Sequence, residues 1–194
     1  VYLFHRGGLP EDALQYLRTS ADDGATWSSA LQWLNTSDSN RPYPQYAKHA
    51  SGDRIDFVTT NGHPRVKDTE LYSGYITINP STGVRAYYKT DGTLVGDDAA
   101  APFQPEDFTL VYDDTPTNVV WGYDLEWIDG ELVCLFAKFP DTGHDPHEYW
   151  RGKWNGSSWT TEKICDAGTT GTADYLYAAQ PYYSGGVCLD PLNE

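Results

Sequence analysis

Short runs of β-type residues recur along the chain, apolar side chains alternating with polar ones, and Gly, Asp, Asn and Pro break them. The runs predict strands at 2–6, 14–19, 30–34, 45–50, 54–60, 71–78, 84–88, 108–112, 119–128, 132–139, 148–154, 158–164 and 183–189. A loop rich in Pro, Asp and Ala spans 96–107. Residues 11–18 read equally as a short amphipathic helix or as part of a strand.

The turns between the runs repeat. Asp23-Gly24, Asp91-Gly92 and Asn155-Gly156 are tight-hairpin dipeptides, in which both central residues take positive φ. Their near-equal spacing signals repeated supersecondary units, and a four-stranded antiparallel propeller blade fits the period. The expected fold is therefore all-β, with blade one at about 1–35, blade two at about 45–95, blade three at about 108–167 and the first strand of blade four at about 182–190. That is about three and a half blades, where propellers close with about 4–8. Entry and exit in mid-blade imply a portion of a longer chain, or a second chain that closes the ring.

Composition narrows the function. Lys and Arg number 13 against 28 Asp and Glu, a formal charge of -15, which argues against a nucleic-acid partner. The apolar runs are too short for a membrane span, and the chain is too aromatic for disorder. Val1 is followed by no leader, as in a mature product or a fragment. Cys134, Cys165 and Cys188 contain no C-x-x-C pair, so they read as buried strand thiols, or as one disulfide with one free thiol. Asn35-Thr-Ser and Asn155-Gly-Ser are glycosylation-type triplets.

Ser20-Ala-Asp22-Asp-Gly24-Ala-Thr26-Trp27 matches the Asp-box S-x-D-x-G-x-T-W in full, and so resembles the BNR repeat of sialidase-type β-propellers. The resemblance implies a turn device: Ser20, Asp22 and Thr26 bond the turn, Gly24 takes positive φ and Trp27 packs between blade sheets. These roles are structural. The segment Arg41-Pro-Tyr43 followed by 54–65, which ends Gly62-His63-Pro64-Arg65, then 149–159 and 183–190, resemble the BNR propellers that include ulvan lyases and related polysaccharide lyases. The resemblance implies a typically seven-bladed, secreted, carbohydrate-active protein that cleaves a uronate-containing polysaccharide by β-elimination. It places the G-H-P histidine, here His63, in the substrate cleft. Where lyase members carry another His upstream, this chain has Asn40-Arg41-Pro42-Tyr43.

Such a lyase needs a cation or strong donor on the uronate carboxylate, a base for the C5 proton and an acid for the leaving oxygen. His63 and Tyr149 are the candidate catalytic residues. Arg41, Arg65, Arg151, His5, Arg6 and Tyr183 are the candidate substrate-binding residues, Arg because its fork meets both carboxylate oxygens. In so acidic a chain these groups must focus a local positive field to attract an acidic polysaccharide. His63 also reads as a loop-capping histidine, and Tyr149 as aromatic core. Asp124 and Glu126 share a strand face, the raw material of a glycosidase-like site. The loop 141–148 gathers Asp141, His144, Asp145, His147 and Glu148, a conceivable calcium or zinc site or a plain polar hairpin. No cofactor is demanded by the sequence, and a structural calcium has room. The competing functions are a non-catalytic glycan-binding or structural propeller segment, and a glycoside hydrolase of sialidase type.

Overall fold

The structure is a computed structural model that describes residues 1–7, 14–36, 40–66, 68–79, 81–140, 146–168 and 182–190. The described residues are β-strands and loops with one short 3-10 turn, Pro105–Asp107. No helix among them is long and apolar enough to cross a membrane.

Three antiparallel sheets follow one another along the chain. The first holds β1 (Tyr2–Gly7), β2 (Leu14–Thr19) and β3 (Leu31–Leu34). The described part of 11–18 is thus strand. The second runs β4 (Tyr43–Lys48), β5 (Arg54–Thr60), β6 (Leu71–Ile78), β7 (Arg85–Lys89) and β8 (Leu94–Asp97), and β9 (Thr109–Tyr112) pairs with β6. The third holds β10 (Asn118–Ile128), β11 (Glu131–Pro140), β12 (His147–Trp154) and β13 (Trp159–Gly168).

This departs from uniform four-stranded units. The stretch 108–112, expected to open the third unit, joins the second sheet. It can do so because β6 divides its edge: Leu71–Ser73 pair with β9 and Gly74–Ile78 with β7. Gly74 stands at the fork. A Cβ there would lie 2.5 Å from the Tyr88 carbonyl oxygen and 2.6 Å from the Phe108 ring. Gly74→Ala should cost about 1–3 kcal/mol through overpacking, read as a lower urea midpoint.

The second sheet is covered on both faces. Phe57 packs with Leu17, Trp33, Leu34, Ile76 and Tyr87, toward the first sheet. Its neighbour Val58 packs with Leu71, Val120, Leu125, Leu132 and Phe136, toward the third. Alternate side chains of one strand thus feed two cores. Each fully buried Leu or Phe contributes about 1.5–3 kcal/mol. The outer strand β13 is largely exposed and carries Thr, Glu and Lys accordingly.

The Asp-box forms between β2 and β3. Ser20 Oγ accepts the N–H of Gly24 at 2.8 Å and donates to Asp22 Oδ1 at 2.7 Å. The Asp22 carboxylate accepts the Thr26 N–H and hydroxyl, which lower its pKa to about 2. Gly24 has φ +94°. Trp27 differs from expectation: it lies over Gly24, is 38% exposed and is not sandwiched between sheets. The hairpin chemistry also differs. Both residues of Asp23-Gly24 have positive φ, but at 91–92 and 155–156 only the glycine does. The latter pairs are therefore not the turns expected, whose two central residues both take positive φ.

Residues 183–189, expected as a strand, form no ladder. Side chains of the third sheet pin them: Tyr123 donates its hydroxyl to the Ser184 carbonyl, and the Leu189 N–H reaches Asp124 Oδ2 at 2.8 Å. The cysteines are free. Cys134 is buried, and burial pushes its thiol up to about 12. Cys165 and Cys188 are exposed, against the expectation of buried strand thiols.

Candidate functional site

β5 ends in Thr59 and Thr60, and the chain turns sharply at Asn61–Val66. Thr60 donates its hydroxyl to the Gly62 carbonyl at 2.8 Å, and the Val66 N–H donates to the His63 carbonyl at 2.9 Å. Within this turn the Arg65 N–H donates to His63 Nδ1 at 3.0 Å. His63 therefore does cap its loop. Because Nδ1 accepts, the neutral ring carries its proton on Nε2. That second nitrogen meets the Tyr183 hydroxyl at 3.0 Å and donates to its oxygen.

Aromatic rings enclose this pair. His63 stands edge-on to Trp121, with centroids 4.9 Å apart, and to Tyr43 at 5.6 Å. Trp121 also packs against Tyr43 at 4.6 Å and Tyr183 at 5.4 Å. Four separate stretches converge: the start of β4, the loop after β5, the first part of β10 and the chain after 182. Burial lowers the His63 pKa below its ordinary 6.5, and the positive charges of Arg65 and Arg41 lower it further. Neither arginine has a carboxylate partner among the described residues. The site thus holds a neutral imidazole and three aromatic rings, within the positive field of Arg41 and Arg65.

The remaining candidates are distributed elsewhere. Tyr149, on β12, turns its hydroxyl to the backbone of Gly185 and Gly186 and anchors the 183–189 segment. Arg151 pairs with Glu162 on the neighbouring strand β13. His5 stacks on Tyr16 at 5.6 Å, its Nε2 buried with no partner. Arg6 lies across from Gln15, whose amide donates to the Pro42 carbonyl at 2.9 Å, one residue from Arg41. Arg6 therefore sits at the same end of the sheets as the His63 site, while Arg151 does not join it.

The rival constellations resolve into local bonds. Asp124 accepts the N–H of Leu125 and of Leu189, which occupies its carboxylate. Glu126 has its pKa raised by burial and then by Asp124. Asp98 receives the Arg85 fork and Asp114 receives Lys138. Asp141, His144 and Asp145 lie outside the described residues. His147 is buried, stacked on Phe139, with Ser184 Oγ at 2.7 Å. Among the described residues no three His, Cys, Asp or Glu side chains gather to hold a metal.

Trp121 was not among the residues the sequence singled out. In Val119-Val120-Trp121 it reads as one more apolar position of a core strand, and no local signal aims its indole at His63. Comparison with known proteins adds no family: no protein-family model matches the chain, and no curated protein matches its sequence.

Proposed function

We propose that the chain is a set of consecutive propeller blades that binds an acidic, uronate-containing polysaccharide outside the cell and cleaves it by β-elimination at the His63–Tyr183 pair. The single observation that carries the reading is this pair, joined at 3.0 Å, in the field of two arginines that have no carboxylate partner among the described residues. The blade reading is supported by sheets that stack in chain order, with β10 beside β4, and by a segment pinned to the third sheet without a ladder partner.

The chemistry follows from the donor pattern. Arg41 and Arg65 neutralise the substrate carboxylate, which makes the adjacent C5 proton removable. Tyr183, acting as a phenolate held by the His63 Nε2–H, takes that proton. The electron pair left behind forms the C4=C5 double bond, and the C4–O bond breaks. The same hydroxyl returns its proton to the leaving oxygen, which restores the phenolate. His63 positions Tyr183 and does not itself take the proton, since both of its ring nitrogens are committed. Tyr149, bonded to the segment that carries Tyr183, supports the site from behind.

The test is incubation with polygalacturonate and with ulvan. A lyase generates new chain ends with the ultraviolet absorbance of an unsaturated uronate. Reducing ends without that absorbance would replace elimination by hydrolysis. Binding with neither product would leave a glycan-binding module.

A further inference from the structure

The indole N–H groups of Trp127, Trp150 and Trp159 each end on a partner: Asp56 at 2.9 Å, Glu148 at 2.9 Å and Ser73 at 2.8 Å. That of Trp121 has no hydrogen-bond partner among the described residues, and neither has the Tyr43 hydroxyl 4.6 Å away by ring centroids. Both residues are only partly buried. Being partly exposed, these two donors, in contact with each other and beside His63, are open to water or to an acceptor on a ligand.

The surroundings define that acceptor. The charges that act on His63 are those of Arg65 and Arg41. The wall therefore offers the Trp121 indole N–H and the Tyr43 O–H, within the field of Arg41 and Arg65. Rings beside such donors suit a pyranose, whose C–H face packs on an aromatic while its hydroxyl and carboxylate oxygens accept hydrogen bonds.

We infer that Tyr43 and Trp121 form a sugar-binding subsite that selects an anionic pyranose next to the His63–Tyr183 pair. The inference deepens the proposed function and rests on its choice of site, but it concerns binding and is separable from cleavage. Trp121 acts twice, with its face on the sugar ring and its N–H on a sugar oxygen.

The experiment is calorimetric titration of the whole chain with a galacturonate hexamer and, in parallel, with a neutral glucose hexamer. It uses the wild type, W121F, W121A and Y43F. W121F keeps a ring and removes the N–H, and should raise Kd for the galacturonate hexamer about 3–10-fold, the loss of one hydrogen bond. W121A should raise it further, and Y43F should resemble W121F. Unchanged thermal midpoints in W121F and Y43F tie the loss to the ligand. The neutral hexamer should bind weakly and respond little to R65Q, which should weaken the galacturonate hexamer. Equal Kd values in wild type, W121F and Y43F would overturn the subsite, as would equal affinity for the two hexamers. If wild type binds and W121F loses affinity while no unsaturated product forms, the subsite stands and the lyase reading falls. If product forms with unchanged KM in every Trp121 variant, the lyase reading stands and the subsite falls.

Discussion

Asp56→Ala should lower the stability of the chain by about 3–5 kcal/mol, the loss expected when one member of a buried ion pair is removed. Asp56 is 0% exposed and sits on β5, between two sheets. Its carboxylate accepts from Arg54 Nε at 3.0 Å and Nη2 at 2.6 Å, and from the Trp127 indole at 2.9 Å. The guanidinium in turn lies 3.7 Å from the centre of the Tyr75 ring. Removing the carboxylate strands a half-buried cation and a donor from the third sheet at once. Set against a total of about 5–15 kcal/mol for an ordinary domain, this is a large share. The measurement is urea unfolding at neutral pH. Arg54→Met together with Asp56→Leu should lose less than Asp56→Ala alone, because no charge is then left unpaired. A single-variant midpoint equal to wild type would show that the network holds nothing together.

Tyr183→Phe should abolish most cleavage while leaving the fold intact, a drop of about 100- to 10,000-fold in kcat, as for loss of a proton-transfer group. The ring remains to pack on Trp121, so KM should change little. His63→Gln should fall between wild type and Tyr183→Phe, since an amide can still donate to the Tyr183 oxygen. The pH profile separates a positioning role from a merely structural one. His63 has its pKa held below 6.5, so it is neutral at pH 7 and takes up a proton only in acid. Protonation at Nδ1 expels the Arg65 N–H that orients the ring. The contribution of His63 should therefore be full above 6.5 and be lost on acidification through the lowered value. Arg65→Gln removes one of the charges that depress that value, so it should move the acid limb upward toward 6.5. A limb that stays in place would show that the arginine field does not reach His63.

What the sequence made legible was mostly what is local. The Asp-box is complete within eight residues, and every side-chain bond expected of Ser20, Asp22 and Thr26 is present. Only Trp27 escapes, because its packing depends on a neighbouring sheet. The strands β5, β10 and β11 follow from their apolar runs. β9 was assigned to the wrong sheet because its pairing depends on Gly74, whose missing side chain opens a place beside β6 that no pattern within 108–112 reports. The same holds at the site. His63 stood out through its Gly-His-Pro context, but Tyr149 and Tyr183 are the same residue type at opposite ends of one tether. Which of them reaches His63 is decided by how 182–190 is pinned to the third sheet, a matter of Tyr123 and Asp124. Trp121 looked like core because its contacts come from chain far away in sequence.

The two arginines sit in a chain whose formal charge is -15. Far from the site a polyanion meets net repulsion; within a Debye length of about 8 Å in physiological salt it meets Arg41 and Arg65. Added electrolyte screens both effects, so it hastens the encounter and loosens the grip. If the proposed cleavage holds, turnover on long polymers, which must arrive and also let go, should be greatest at an intermediate ionic strength, and the position of that optimum reports how far the local field outweighs the global one.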